Sequence, residues 1–232
     1  MHKYIKNLSL SLVLLITCSL NAQTKAEKTV KSNFGSMDMY NSTQNKEALE
    51  FFNKGEVASQ ERDYKNCLKW YKKAIDKDDK FVEAYDNLGV AYRNLGDFDN
   101  AKKCYATSLK LYPNGPMAHQ NLGLIYTIEK DYPKAIEQYE ALQKIDSTDA
   151  EGYYGTIQIY LGQKKYPEAI KNAKKTLEIY EATKSPYTRD AQYILGLSYY
   201  YNNDKKNAAI YLKQAKASGV NVPKSICDEV GI

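Results

Sequence analysis

Histidine is nearly missing from this chain of 232 residues, where only His2 and His119 occur. One imidazole in the body of the sequence gives no partner to a serine or cysteine nucleophile and no histidine pair for zinc. Cysteine is scarce as well. Cys18, Cys67, Cys104 and Cys227 are scattered without a CxxC spacing, which argues against a metal knuckle or a disulfide framework and leaves room for one bridge. No glycine-rich phosphate loop is written. The 28 acidic residues offer no pair that stands out as a catalytic couple. Beyond residue 20 there is no apolar run long enough to span a bilayer. The sequence therefore predicts no enzyme, no metal and no cofactor.

The N-terminus is written differently. Lys3 and Lys6 precede an apolar stretch, Leu8 to Leu20, that is too short and too poorly flanked for a transmembrane helix, with Ala22 as a small residue after it. This predicts a signal peptide over 1–22, cleaved before Gln23, and hence export to the periplasm or the medium. Cys18 offers an alternative, lipid anchoring in the outer membrane, but Thr17 stands where a lipoprotein box has Gly, Ala or Ser. Residues 23–47 are polar with no apolar period, and are expected to be a disordered linker.

Loss of Lys3 and Lys6 with the leader lowers the formal charge from +5 to +3, too near neutral to suggest nucleic acid as a partner. Tyrosine is the compositional excess, with 22 copies against 1 Trp and 5 Phe. Aromatic bulk here carries a polar tip.

From Ala48 onward a period of 34 residues appears. In the unit 82–115 the recurring residues are Tyr85, Leu88, Gly89, Tyr92, Ala101, Tyr105 and Pro113. The next unit, 116–149, repeats them as His119, Leu122, Gly123, Tyr126, Ala135 and Tyr139; the preceding one, 48–81, keeps Phe51, Gly55, Cys67, Tyr71 and Ala74. Weaker copies follow in 150–188 (Tyr153, Tyr160, Ala169) and, after an insertion near Ser185-Pro186, in 189–222 (Leu195, Gly196, Tyr199, Ala208, Ala215). Tyr85, Leu88 and Tyr92 lie three and four apart, one apolar stripe of a helix, and Gly89 and Ala101 allow a close partner helix. Pro133 and Pro167 suit the first turn of second helices.

This pattern resembles the tetratricopeptide repeat. The resemblance implies an all-α, right-handed solenoid of about five helix-turn-helix units over 48–222, with 223–232 as a C-terminal cap or tail. His119 falls in a core aromatic slot, so a packed imidazole is expected there.

The resemblance also implies that the first helix of each unit lines a concave groove. The sixth residue of each unit is then a groove residue: Asn53, Asn87 and Asn121, followed by Gly155 and Ile194. Stacked amides suit an extended peptide backbone, although Asn is also simply common at that position. Glu56, Glu83, Asp86 and Arg93 make the first half of the groove polar. Met117, Leu124, Ile128, Tyr154, Tyr193, Leu197, Tyr200 and Tyr201 make the second half apolar and aromatic, either as a binding surface or packed beneath the cap. The clamp by which some members of the family hold a C-terminal carboxylate does not fit, because Phe52, Glu56 and Met117 occupy its cationic and amide positions. The expected function is a protein-interaction scaffold of a bacterial envelope that binds an extended peptide segment. A structural subunit of an envelope complex and a carbohydrate-binding module using groove tyrosines are the alternatives.

Overall fold

The computed structural model describes residues 43–232, so the leader 1–22, Cys18 and the linker up to residue 42 lie outside the described residues. The described part is entirely helical. Its first three pairs are α1 (Lys46–Gln60) with α2 (Tyr64–Lys77), α3 (Val82–Asn94) with α4 (Phe98–Leu111), and α5 (Pro116–Ile128) with α6 (Tyr132–Ile145). Two more follow, α7 (Glu151–Gly162) with α8 (Tyr166–Ala182) and α9 (Thr188–Tyr201) with α10 (Lys205–Ala217), and α11 (Lys224–Val230) ends the chain. No described helix is long and apolar enough to cross a membrane.

The turn inside each pair is written the same way. Asp63, Asp97, Asp131 and Asp204 each accept a backbone N–H three residues on and so cap the second helix. The residue just before each cap is left-handed: Arg62, Gly96, Lys130 and Asn203. The fourth unit keeps the left-handed residue, Lys164, but has Lys165 at the cap with no side-chain hydrogen bond. Lys165→Asp is therefore expected to stabilise the protein by about 1 kcal/mol in urea unfolding followed by circular dichroism. No gain would mean that the helix end is already satisfied. Pro133 and Pro167 sit in the first turn of α6 and α8, where the missing N–H has no helical partner to lose.

The predicted linker runs too far. Asn45 caps α1, accepting from the backbone N–H groups of Glu47 and Ala48, and its amide donates to the Lys77 carbonyl at 2.8 Å. Thr43 is buried and donates to the Asp78 carboxylate. These polar residues tie the entry of α1 to the exit of α2 by hydrogen bonds, which an apolar period does not reveal.

Packing within a pair rests on a ring laid over a glycine. Tyr105 of α4 is fully buried, and a Cβ on Gly89 of α3 would stand 2.6 Å from its ring. Gly55 meets Tyr71 and Gly123 meets Tyr139 in the same way. The small residue thus makes space for an aromatic side chain of the second helix.

First helices of successive units also pack on one another, α3 on α5 and α5 on α7, while no comparable contact joins successive second helices. A stack that is tighter along its first helices curves towards them and places them on the concave side. At the far end, Val222 and Cys227 are buried, and Ile226, Val230 and Ile232 pack on a core that runs from Ile157 through Leu212. Gly231, with φ 77°, ends α11.

Candidate functional site

The concave side brings together several of the residues expected to face it. At the first boundary between units, the amide of Asn87 on α3 donates to Glu56 Oε1 on α1 at 2.8 Å. The hydroxyl of Tyr71 donates to the same oxygen at 2.8 Å. At the next boundary, Arg93 donates to Asn121 Oδ1 at 2.5 Å, and the Asn121 amide donates to the Met117 carbonyl at 2.8 Å. The asparagine column is therefore graded. Asn53 is exposed, Asn87 half-buried and Asn121 6% exposed. Two of its three amides are engaged with groove neighbours, so a peptide would meet Asn87 and Asn121 as parts of hydrogen-bonded pairs.

The aromatic half divides similarly. Tyr200 donates to Glu229 of α11 at 2.8 Å, which ties it to the cap, and Tyr201 stacks on Tyr166 with ring centroids 6.1 Å apart. Leu124, Ile194 and Leu197 are buried, whereas Ile128 is 42% exposed. Tyr154 and Tyr193 are half-buried and pack on the edge of the C-terminal core.

Two residues of this face were not singled out in the sequence: Glu151 and Asp190, each the second residue of its unit. The recurrence of an acid there in Glu83, Glu151 and Asp190 was the available signal. Glu151 accepts from the Gln120 amide at 3.0 Å. Burial first, then the neighbouring Asp149 charge, pushes its carboxyl from the usual 4.5 up to about 7. Burial also raises Asp149 and Asp190. Burial first, and then the charge of Glu151, raises Tyr180, whose ring centroid lies 6.1 Å from that of Tyr187.

A carboxyl group with its folded pKa above its unfolded one loses stability as pH rises between the two values. Glu151 should therefore cost stability between about pH 4.5 and 7. Its side chain is only half-buried and lies at the positive end of α7, which opposes the shift, so the expected cost is about 1 kcal/mol. Glu151→Gln, which keeps an acceptor for Gln120, should raise stability by that amount at pH 8 and leave it unchanged at pH 4. An equal effect at both pH values would show that ionisation is not the cause.

Among the described residues the histidine is hydrogen-bonded and the cysteines are buried. His119 packs its two ring nitrogens against Gln138 Oε1 at 2.8 Å and the Pro113 carbonyl at 3.1 Å. Cys67, Cys104 and Cys227 are buried free thiols, and burial pushes the first two up to about 11. Among the described residues no three His, Cys, Asp or Glu side chains cluster as metal ligands.

Models of the tetratricopeptide repeat match residues 51–80, 70–103, 87–150 and 154–223. Among solved structures, MamA from Desulfovibrio magneticus RS-1 (residues 41 to its end) is 22% identical over 77% of this chain and 100% of its own, with a TM-score of 0.66. PilF of Pseudomonas aeruginosa is 15% identical, covering 76% of this chain and 78% of its own, at 0.65. YrrB, described as a tetratricopeptide protein with an unusual peptide-binding site, is 22% identical over 74% of this chain and 87% of its own, at 0.58. No curated protein matches by sequence. At these identities the structures speak to fold, while the repeat models cover most of the chain, and on that ground the protein belongs to the tetratricopeptide repeat family.

Proposed function

We propose that the protein is a non-enzymatic scaffold of the bacterial envelope that holds an extended segment of a partner protein along its concave face. The observation that carries this reading is the continuity of that face. First helices of the middle units pack directly on one another, and along the same side Glu56, Asn87 and Arg93 are half-buried polar residues held in place by hydrogen bonds. Fixed polar groups on a rigid, concave, helical surface suit main-chain recognition. Family membership favours protein binding, and the peptide-binding site named for YrrB lies on a similar fold.

The reading is tested by placing a photo-crosslinking residue at Asn87 on the groove, or at the exposed Lys110 on a second helix, in the full chain. Partners should be captured from the groove position and not from the other. Capture from Lys110 alone would refute it and favour a structural subunit that uses its outer face.

Export rests on Lys3, Lys6 and the apolar stretch from Leu8 to Leu20. The mass of the mature N-terminus decides its form. Gln23 at the start means a free protein, lipid on Cys18 a tethered one, and an intact Met1 would end the export reading.

A further inference from the structure

Charge is sorted between the two layers of the solenoid. The five second helices together carry seventeen lysines and seven carboxylates, while the five first helices carry four cations and seven carboxylates. A chain that is positive overall thus carries its surplus cations on the second helices and a small excess of carboxylates on the first. In the aromatic half of the groove the same acid–tyrosine pair is written twice. Glu151 and Tyr154 lie three apart on α7, and Asp190 and Tyr193 lie three apart on α9, so each carboxylate has a tyrosine on the same helix face one turn away. Both acids are half-buried, and neither forms an ion pair among the described residues. Glu151 is met by a neutral amide, Gln120, and the nearest cation to Asp190 is its own chain neighbour Arg189. Asp149 stands beside the first pair, its carboxylate accepting the Glu151 backbone N–H at 3.0 Å.

We infer that the groove's second half receives an extended segment bearing lysine or arginine side chains, one cation at Glu151 and Tyr154 and another at Asp190 and Tyr193. This rests on the groove reading above and adds the chemistry of the partner. A carboxylate removed in part from water gains most from an arriving cation, and a tyrosine face beside it attracts the same cation through its ring electrons. An acidic segment would meet like charge at both positions, and a neutral one would leave both acids without a counter-charge. The flexible stems of lysine and arginine can also lie along Tyr154 and Tyr193 while their heads reach the acids.

The test pans a display library of random short peptides against the full chain, then against the Glu151→Gln, Asp190→Asn double variant. Wild-type binders should be enriched in Lys and Arg, and a chosen binder, measured by calorimetry, should weaken about tenfold or more on the double variant. Its affinity should also fall with added salt. Helix content and melting temperature at least equal to wild type will show that the variant is folded. Binders without a basic excess, or basic binders that ignore the double variant, would overturn the inference and leave the groove reading standing. A library that yields no binder at all would overturn both.

Discussion

Tyr139→Ala should lower stability by about 4 kcal/mol, the range for emptying a large aromatic site in a packed core. Tyr139 is 7% exposed and is gripped from two units at once. A Cβ on Gly123 of its own unit would stand 2.9 Å from the ring, and one on Gly155 of the next unit 2.4 Å. The ring is therefore the key between α5 and α7 as well as a member of the core formed with Ala135, Leu142 and Ile159. Its loss empties a site that rigid helices on both sides cannot collapse into. Urea unfolding monitored by circular dichroism gives the value, and a loss below about 1 kcal/mol would mean that the neighbouring helices close the gap.

Gly155→Ala comes next, at about 2 kcal/mol. Alanine favours a helix over glycine by about 1 kcal/mol, so on propensity alone this change should stabilise α7. Sterics reverse the sign. A new methyl at Gly155 would overlap the Tyr139 ring, whose same edge already lies close against Gly123, so the ring has little room to yield. The decisive measurement is a double-mutant cycle. In a Tyr139→Ala background the obstacle is gone, and Gly155→Ala should become neutral or stabilising by up to about 1 kcal/mol. If it costs the same in both backgrounds, the ring is not what excludes the methyl.

The same positions explain what the sequence could disclose. Leu88, Gly89, Tyr92, Ala101 and Tyr105 obey local spacing rules, and each has a counterpart one period away, so the helix pairs and their order follow from the spelling. Gly155 is different: it does not fall in the glycine slot of its unit, and its meaning appears only when Tyr139, from the unit before, lies against it. The groove was partly legible for the same reason. The sixth-position asparagines could be found by counting, but Asn121 is buried by an Arg93 that arrives from 28 residues earlier. The condition of Glu151 depends on Gln120 and Asp149, one on another helix and one in a turn. Contacts that cross from unit to unit change what a residue can do without changing the pattern that places it.

The C-terminal core has a consequence for how the protein comes to be folded. It gathers residues from Ile157 to Cys227 into one cluster, while the earlier units hold smaller clusters of their own. Its lid, from Val222 to Ile232, follows all five helix pairs in the sequence. A growing chain can form the early pairs, but it cannot close its largest apolar body until Val222 to Ile232 have been made. Repeat arrays fold by adding neighbours to a stable block, and here the largest cluster belongs to the last two helix pairs and α11. Docking of α11 is therefore the event that seals this core, and a chain that has not yet reached it keeps its largest apolar cluster open.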